Sequence, residues 1–301
     1  MLTGFIFPAF VSDYKGDETE VLHQFSDDFG RLLIIAGDHT GAPLTSFDIK
    51  TNNFSDDQLK SQWMSYVFGC AVGDMLKKNR IMPDYLSGYS MGIYSALYCS
   101  ESVTFTTGID LITKAYSVIQ ETVKNMNTGM GSVVGLDKND ILSLIAGYPG
   151  VTIANTNSEY SFLLSGIRDE ISGVLVKARL EGALHVSLMN VSFPYHSPLL
   201  NEASVKFRSF IEREVLVKDA IFNIVSGLDQ GIFTARNQII DELAANLNQQ
   251  IDWMKTMEKM IGLNVACFVE CGAGTSLHKT GKFITGDFRI YTLGEIGEML
   301  W

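Results

Sequence analysis

Ser90 stands in Gly88-Tyr89-Ser90-Met91-Gly92, a G-x-S-x-G spacing that follows a short apolar run at 85–88 and opens onto a helical segment at 93–99. A serine on a sharp strand-to-helix turn needs small neighbours, so that the backbone can fold back and expose the hydroxyl. The following helix offers free N–H groups and positive dipole where an oxyanion would form. That chemistry is attack on a carbonyl, and the serine needs a base to perform it. The candidates are His23, His39, His185, His196 and His278. His196 lies in a proline-bracketed loop at 191–198 (VSFPYHSP), and loops on rigid scaffolds commonly carry catalytic groups. His185 falls in an expected strand and reads as a structural histidine. The setting favours His196, although composition alone does not prove the choice.

The elements that must position these residues alternate. Apolar runs at 4–7, 85–88, 153–155, 161–165, 221–225 and 266–270 read as strands. Segments of helical period lie between them at 58–78, 108–123, 170–181, 199–214 and 249–261. Such alternation favours a parallel sheet covered by helices. From about 130 to 188 the order becomes strand, helix, strand, strand, helix, strand, which is that of a ferredoxin-like unit. The expected organisation is an α/β domain formed by 1–125 and 189–301, with a small subdomain at 126–188 inserted in it.

The 301 residues suffice for a large core, and 46% apolar with 19% charged residues is a globular composition. A net charge of −11 argues against nucleic acid as a partner. The opening MLTGFIFPAF lacks a positive n-region and reads as a buried strand rather than a signal peptide. No uncharged run approaches the roughly 18 residues that would span a membrane. Cys70, Cys99, Cys267 and Cys271 lack metal-ligand spacing, which fits a reducing, cytoplasmic setting with no bound metal or redox cofactor.

The sequence resembles the malonyl-CoA:acyl carrier protein transacylase family. Residues 88–97 (GYSMGIYSAL) resemble that family's G-H-S-L-G-E-Y-S-A-L, and 191–200 (VSFPYHSPLL) its V-S-x-P-F-H-S-P-L-M. Residues 5–8 (FIFP), 135–137 (GLD), 154–158 (ANTNS), 165–166 (SG) and 269–277 (VECGAGTSL) match further family segments in colinear order. The resemblance implies a hydrolase-like α/β core with a ferredoxin-like insert and a ping-pong mechanism. Ser90 would be the nucleophile and His196 its base, with the backbone N–H groups of Met91 and Phe10 holding the oxyanion. The glutamine that orients the family's histidine falls on Asn246. The partners implied are acyl-CoA and an acyl carrier protein, with CoA or phosphopantetheine entering only as the carrier of the substrate, and the chain acting as a monomer.

The chain departs from the family near the site. The family's G-Q-G-S-Q is Ala9-Phe10-Val11-Ser12-Asp13 here, its elbow histidine is Tyr89 and its elbow glutamate is Ile93. The arginine that clamps the malonyl carboxylate falls on Ala115 in TKAYSVIQ. Lys114 is about 100° away round a helix and should point elsewhere. An unpaired carboxylate in such a site is costly. A pocket of Ala115, Tyr89, Tyr195, Ile93 and Gln62 is therefore expected to take a non-carboxylated acyl group. The alternatives are a thioester hydrolase that clears misloaded carriers, a malonyl transferase using a substitute cation, and a silent carrier-binding module. The basic run Lys77-Lys78-Asn79-Arg80 reads either as a carrier-docking patch or as a solvated helix C-terminus complementing its dipole.

Overall fold

The computed structural model describes residues 2–9 and 14–297 of the chain. The chain enters through β1 (Leu2–Phe7), then forms α1 (Glu18–Phe25), α2 (Asp28–Thr40) and α3 (Gln58–Lys78). Next come β2 (Tyr85–Gly88), α4 (Gly92–Cys99) and α5 (Phe105–Val123). A second unit follows, made of β3 (Thr128–Val134), α6 (Lys138–Ile145), β4 (Val151–Ser158), β5 (Ser161–Ile167), α7 (Arg168–Leu180) and β6 (His185–Leu188). The chain then returns through α8 (Asn201–Glu214), β7 (Asn223–Val225), β8 (Ile232–Phe233) and α9 (Arg236–Ala245). It closes with β9 (Ile251–Asp252), α10 (Trp253–Gly262), β10 (Val265–Glu270), α11 (Ser276–Gly281) and β11 (Arg289–Tyr291).

Two sheets result. The larger has the order β11-β10-β1-β2-β7-β8, and all its pairings are parallel except β7 with β8. β1 lies between β10 and β2, so both of its edges are paired, and its two faces feed different core clusters, with Phe5 and Phe7 on one and Ile6 on the other, all fully buried. On one side α3 contributes an almost wholly buried helix whose Met64, Val67, Phe68, Ala71 and Val72 join Phe5, Phe7 and Leu86 in the main core. The smaller sheet has the order β6-β3-β5-β4-β9. Its first four strands are antiparallel and, numbered within the unit, run 4-1-3-2, the ferredoxin-like arrangement. The protein is thus a hydrolase-like α/β core with a ferredoxin-like subdomain.

The structure adds two features to the sequence reading. Residues 18–40, which carried no assigned element, form α1 and α2. The segment expected to be helical over 249–261 turns helical only at Trp253, because Ile251 and Asp252 pair with Asn155 and Thr156 as the outermost strand of the small sheet. The Asp252 side chain then accepts from Lys255 N at 3.1 Å and caps α10. This pairing ties the segment beside the histidine loop to the subdomain.

Candidate active site

The elbow forms as its spacing requires. Ser90 adopts φ 55°, a left-handed conformation that is strained for a residue with a Cβ. A Cβ on Gly92 would lie 2.0 Å from the Phe7 carbonyl oxygen, and one on Gly88 would lie 2.1 Å from Ile93 N. Both glycines are therefore needed for the turn to close against β1. Tyr89 N donates to Phe7 O at 2.8 Å and locks the elbow to that strand. Met91 begins the first turn of α4, and its N–H makes no hydrogen bond among the described residues. Phe10, the other expected oxyanion donor, lies outside the described residues.

Ser90 Oγ and His196 Nε2 are 2.7 Å apart. His196 also has positive φ (59°), and its backbone N donates to Leu247 O at 2.9 Å. Its Nδ1 lies 3.2 Å from the carbonyl oxygen of Gln249, and donation to that oxygen leaves Nε2 with its lone pair toward Ser90. Burial pushes the imidazole pKa from 6.5 down to about 4, against a smaller opposing effect of the Gln249 and Asn246 backbone. The ring is therefore neutral at pH 7 and able to accept a proton.

Two cavities meet at Ser90. One, of about 30 Å³, is walled by Gln62, Met91, Tyr94, Ala115, Tyr116, Ile119, Tyr195, Asn246 and Leu247 together with Ser90 and His196. The other, of about 250 Å³, opens on the opposite side between the two sheets, along Ala9, Tyr89, Asn155, Asn157, Met189, Ser276 and Thr280. Among the described residues, neither wall contains a lysine or arginine. Lys114 does point elsewhere: its Nζ stands 5.2 Å over the Phe210 ring, in an outer groove.

No protein-family model matches the chain. Among curated proteins, it is 25% identical over 211 residues to the malonyl CoA-acyl carrier protein transacylase of Bacillus subtilis, covering 69% of this chain and 66% of that one. It is 24% identical over 279 residues to the same organism's polyketide biosynthesis transacylase PksC, covering 91% of this chain and 93% of that one. Both relatives are malonyl-CoA:acyl carrier protein transacylases, the family that the sequence resembles. The structure of the transacylase from Coxiella burnetii superposes with TM-score 0.91 at 23% identity, over 100% of this chain and 96% of that one. That of a malonyl-transacylase in complex with its type II polyketide acyl-carrier protein gives 0.89 at 21%, over 97% and 96%. Both share the fold.

Within this transacylase-like fold, the expected site residues divide. Ser90, His196, Met91, Ala115, Tyr195, Gln62 and Asn246 come together around the small cavity, where Gln62 Nε2 donates to the Tyr195 hydroxyl at 2.9 Å. Tyr89 does not line it. Its ring packs edge-on against Trp253 and its hydroxyl donates to Asn157 Oδ1 at 2.9 Å, which places it in the second cavity. Ile93 lines neither cavity, because from the first turn of α4 it packs into the main core, 2% exposed. Asn246 does not orient the imidazole with its side chain. The contact to Nδ1 comes from the Gln249 carbonyl, while Asn246 Nδ2 is buried without a partner. Gln249 went unremarked because it acts through its backbone, which leaves no side-chain signature.

The basic run at 77–80 ends α3 next to the start of β2, the end of that strand remote from Ser90. Lys77 donates to Cys99 O, and Lys78 Nζ sits 2.6 Å from both carboxylate oxygens of buried Asp28. Both lysines are thus bonded to neighbouring segments rather than to the last carbonyls of α3. Among the described residues no group of three or more His, Cys, Asp or Glu is placed to hold a metal ion, and no helix is long and apolar enough to cross a membrane.

Proposed function

We propose that the protein transfers a short, non-carboxylated acyl group from a CoA or carrier-protein thioester, through acyl-Ser90, to the phosphopantetheine thiol of an acyl carrier protein. Such an enzyme would serve fatty-acid or polyketide-type assembly. The single observation that carries the reading is the 2.7 Å contact between Ser90 Oγ and a neutral His196 Nε2 at the mouth of a cavity without a cationic wall. The relatives are named as malonyl transacylases, which supports the carrier-protein partner and the transfer chemistry.

In the first half-reaction, Ser90 Oγ bonds to the thioester carbon while its proton passes to His196 Nε2. The Met91 N–H holds the oxyanion as the tetrahedral intermediate forms. Collapse breaks the C–S bond, and His196 returns the proton to the leaving thiolate. The second half-reaction runs the same steps in reverse, with a carrier thiol as nucleophile. The acyl chain occupies the small cavity. The pantetheine arm lies in the larger one, where Asn155 and Asn157 offer partners to its amides. A cavity of about 30 Å³ has room for roughly two or three heavy atoms, given that one water needs about 10–15 Å³. A carboxylate there would be desolvated without a counter-ion, at a cost of several kcal/mol, on the order of a thousandfold in selectivity.

The test is intact-mass analysis after incubation with acetyl-, propionyl-, butyryl-, hexanoyl-, malonyl- and methylmalonyl-CoA, with Ser90→Ala as control. Short neutral adducts that depend on Ser90 and are cleared by a carrier protein are expected. Preferential malonyl loading would overturn the substrate assignment. Release of free acid in place of transfer to the carrier would replace the transferase with a hydrolase.

A further inference from the structure

The wall of the small cavity carries two hydrogen-bonding groups that the proposed reaction does not use. Asn246 is 5% exposed and its Nδ2 has no partner among the described residues, although the residue lines the cavity. Tyr94 stands one helical turn after Ser90 on α4 and lines the same cavity. Burial raises its hydroxyl pKa, with only a coulombic effect from Tyr195 beside it, and no hydrogen bond to that hydroxyl is formed among the described residues. By contrast, Gln62 and Tyr195 satisfy each other. A buried donor such as Asn246 Nδ2 is unfavourable without a partner, and with Tyr94 lining the same small space the two side chains are a complement to something that fills it.

We infer that Asn246 and Tyr94 recognise an uncharged oxygen on the acyl chain, so that the preferred substrate is a short hydroxy- or keto-acyl thioester rather than a plain alkyl one. The inference rests on the reading of this cavity as the acyl site. Both groups are neutral and can donate, so an alcohol or ketone oxygen satisfies them without importing a charge. A carboxylate would also accept from them but would leave its charge unpaired in an otherwise largely apolar enclosure of Ala115, Ile119 and Leu247. The cavity volume limits the chain to roughly three heavy atoms beyond the carbonyl, with the oxygen at or near its end. An amide turns about its Cβ–Cγ bond, so Asn246 can present either edge to the ligand. Sites built to bond a substrate hydroxyl discriminate strongly against the analogue that lacks it, because their polar groups are then left unpaired.

The experiment is a competition between 3-hydroxypropionyl-CoA and butyryl-CoA, whose acyl groups have equal numbers of heavy atoms, read as the ratio of Ser90 adducts at early times. The wild type is expected to favour the hydroxyacyl group by about tenfold or more. Tyr94→Phe removes one hydroxyl and Asn246→Leu one amide at nearly constant volume, and each should bring the ratio several-fold nearer to one. Because both donors compete on the same protein, a general loss of activity leaves the ratio unmoved. A wild-type ratio at or below one, or a ratio unchanged in Tyr94→Phe, overturns this inference while leaving acyl-Ser90 intact. Absence of a Ser90-dependent adduct from every donor, malonyl-CoA included, overturns the acyltransferase reading and this inference with it.

Discussion

The carbonyl oxygen of Gln249 lies 3.2 Å from Nδ1 of His196, so a peptide group stands where a serine triad would place a carboxylate. A carbonyl fixes the tautomer as a carboxylate does, but it brings no charge to stabilise an imidazolium. Full burial keeps the ring neutral, with a pKa near 4, against the smaller upward effect of that carbonyl.

The pH dependence follows from that value. Ser90 acylation should stay near its plateau through pH 6 and decline with a midpoint near 4, well below an ordinary imidazole at about 6.5. Rapid-mix acylation by a neutral acyl-CoA checks this. The unfolded chain takes up a proton on this ring near pH 6.5 and the native one only near 4, so stability falls as pH drops through that interval. Brief acid exposure is therefore needed. A midpoint near 6.5 would show that the ring is more solvated than its burial indicates.

Removing either member of the pair should be severe. Ser90→Ala and His196→Ala are each expected to lower acyl transfer by about 10³–10⁶, with a double variant little worse than either single one. Transfer rates with a carrier protein measure this, and additive losses would mean that the two residues do not act as a unit.

Ala115 gives a gain-of-function test. Ala115→Arg brings a guanidinium to the small cavity, whose wall must yield to admit it, and a carboxylate could then meet it bidentately. The ratio of malonyl to butyryl loading should rise at least tenfold, with a lower melting temperature in the absence of substrate because the new charge is buried unpaired. An unchanged ratio would mean that the acyl chain lies elsewhere.

Glu242 offers a stability test away from the chemistry. Burial raises its carboxyl from 4.5 to about 7, opposed by the Ser226 hydroxyl that donates to it at 2.7 Å and reinforced by Asp229. Its folded pKa is raised, so the stability it contributes is complete below pH 4.5 and is lost as pH rises through about 7. Glu242→Gln, which can still accept from Ser226, should melt higher than the wild type at pH 8, by about 2–4 °C for each kcal/mol recovered. The difference should all but vanish at pH 4, and calorimetry at the two pH values decides.

Much of this arrangement was legible beforehand because it rests on local rules. Gly88 and Gly92 announce the elbow through what a Cβ would strike, and the period change after residue 130 announces the second unit. The misses share a different cause. Ile93 and Tyr89 flank the nucleophile in sequence, yet the direction of a side chain at an elbow is set by tertiary packing, against the core for one and against Trp253 for the other. β9 is two residues long and exists only through its pairing with β4, so it has no pattern of its own. Gln249 contributes a carbonyl that any residue except for its position could supply.

That last feature bears on how this site can be lost or changed. A triad exposes three side chains to point mutation, whereas here the third group belongs to the main chain and is the same for every amino acid. Inactivating substitutions should therefore cluster at Ser90, His196 and the elbow glycines, with Gln249 itself tolerant of exchange. Insertions, deletions or prolines between 246 and 252 would instead be damaging, because they shift the carbonyl. In a saturation library this segment should read as permissive to chemistry and intolerant of changes in length.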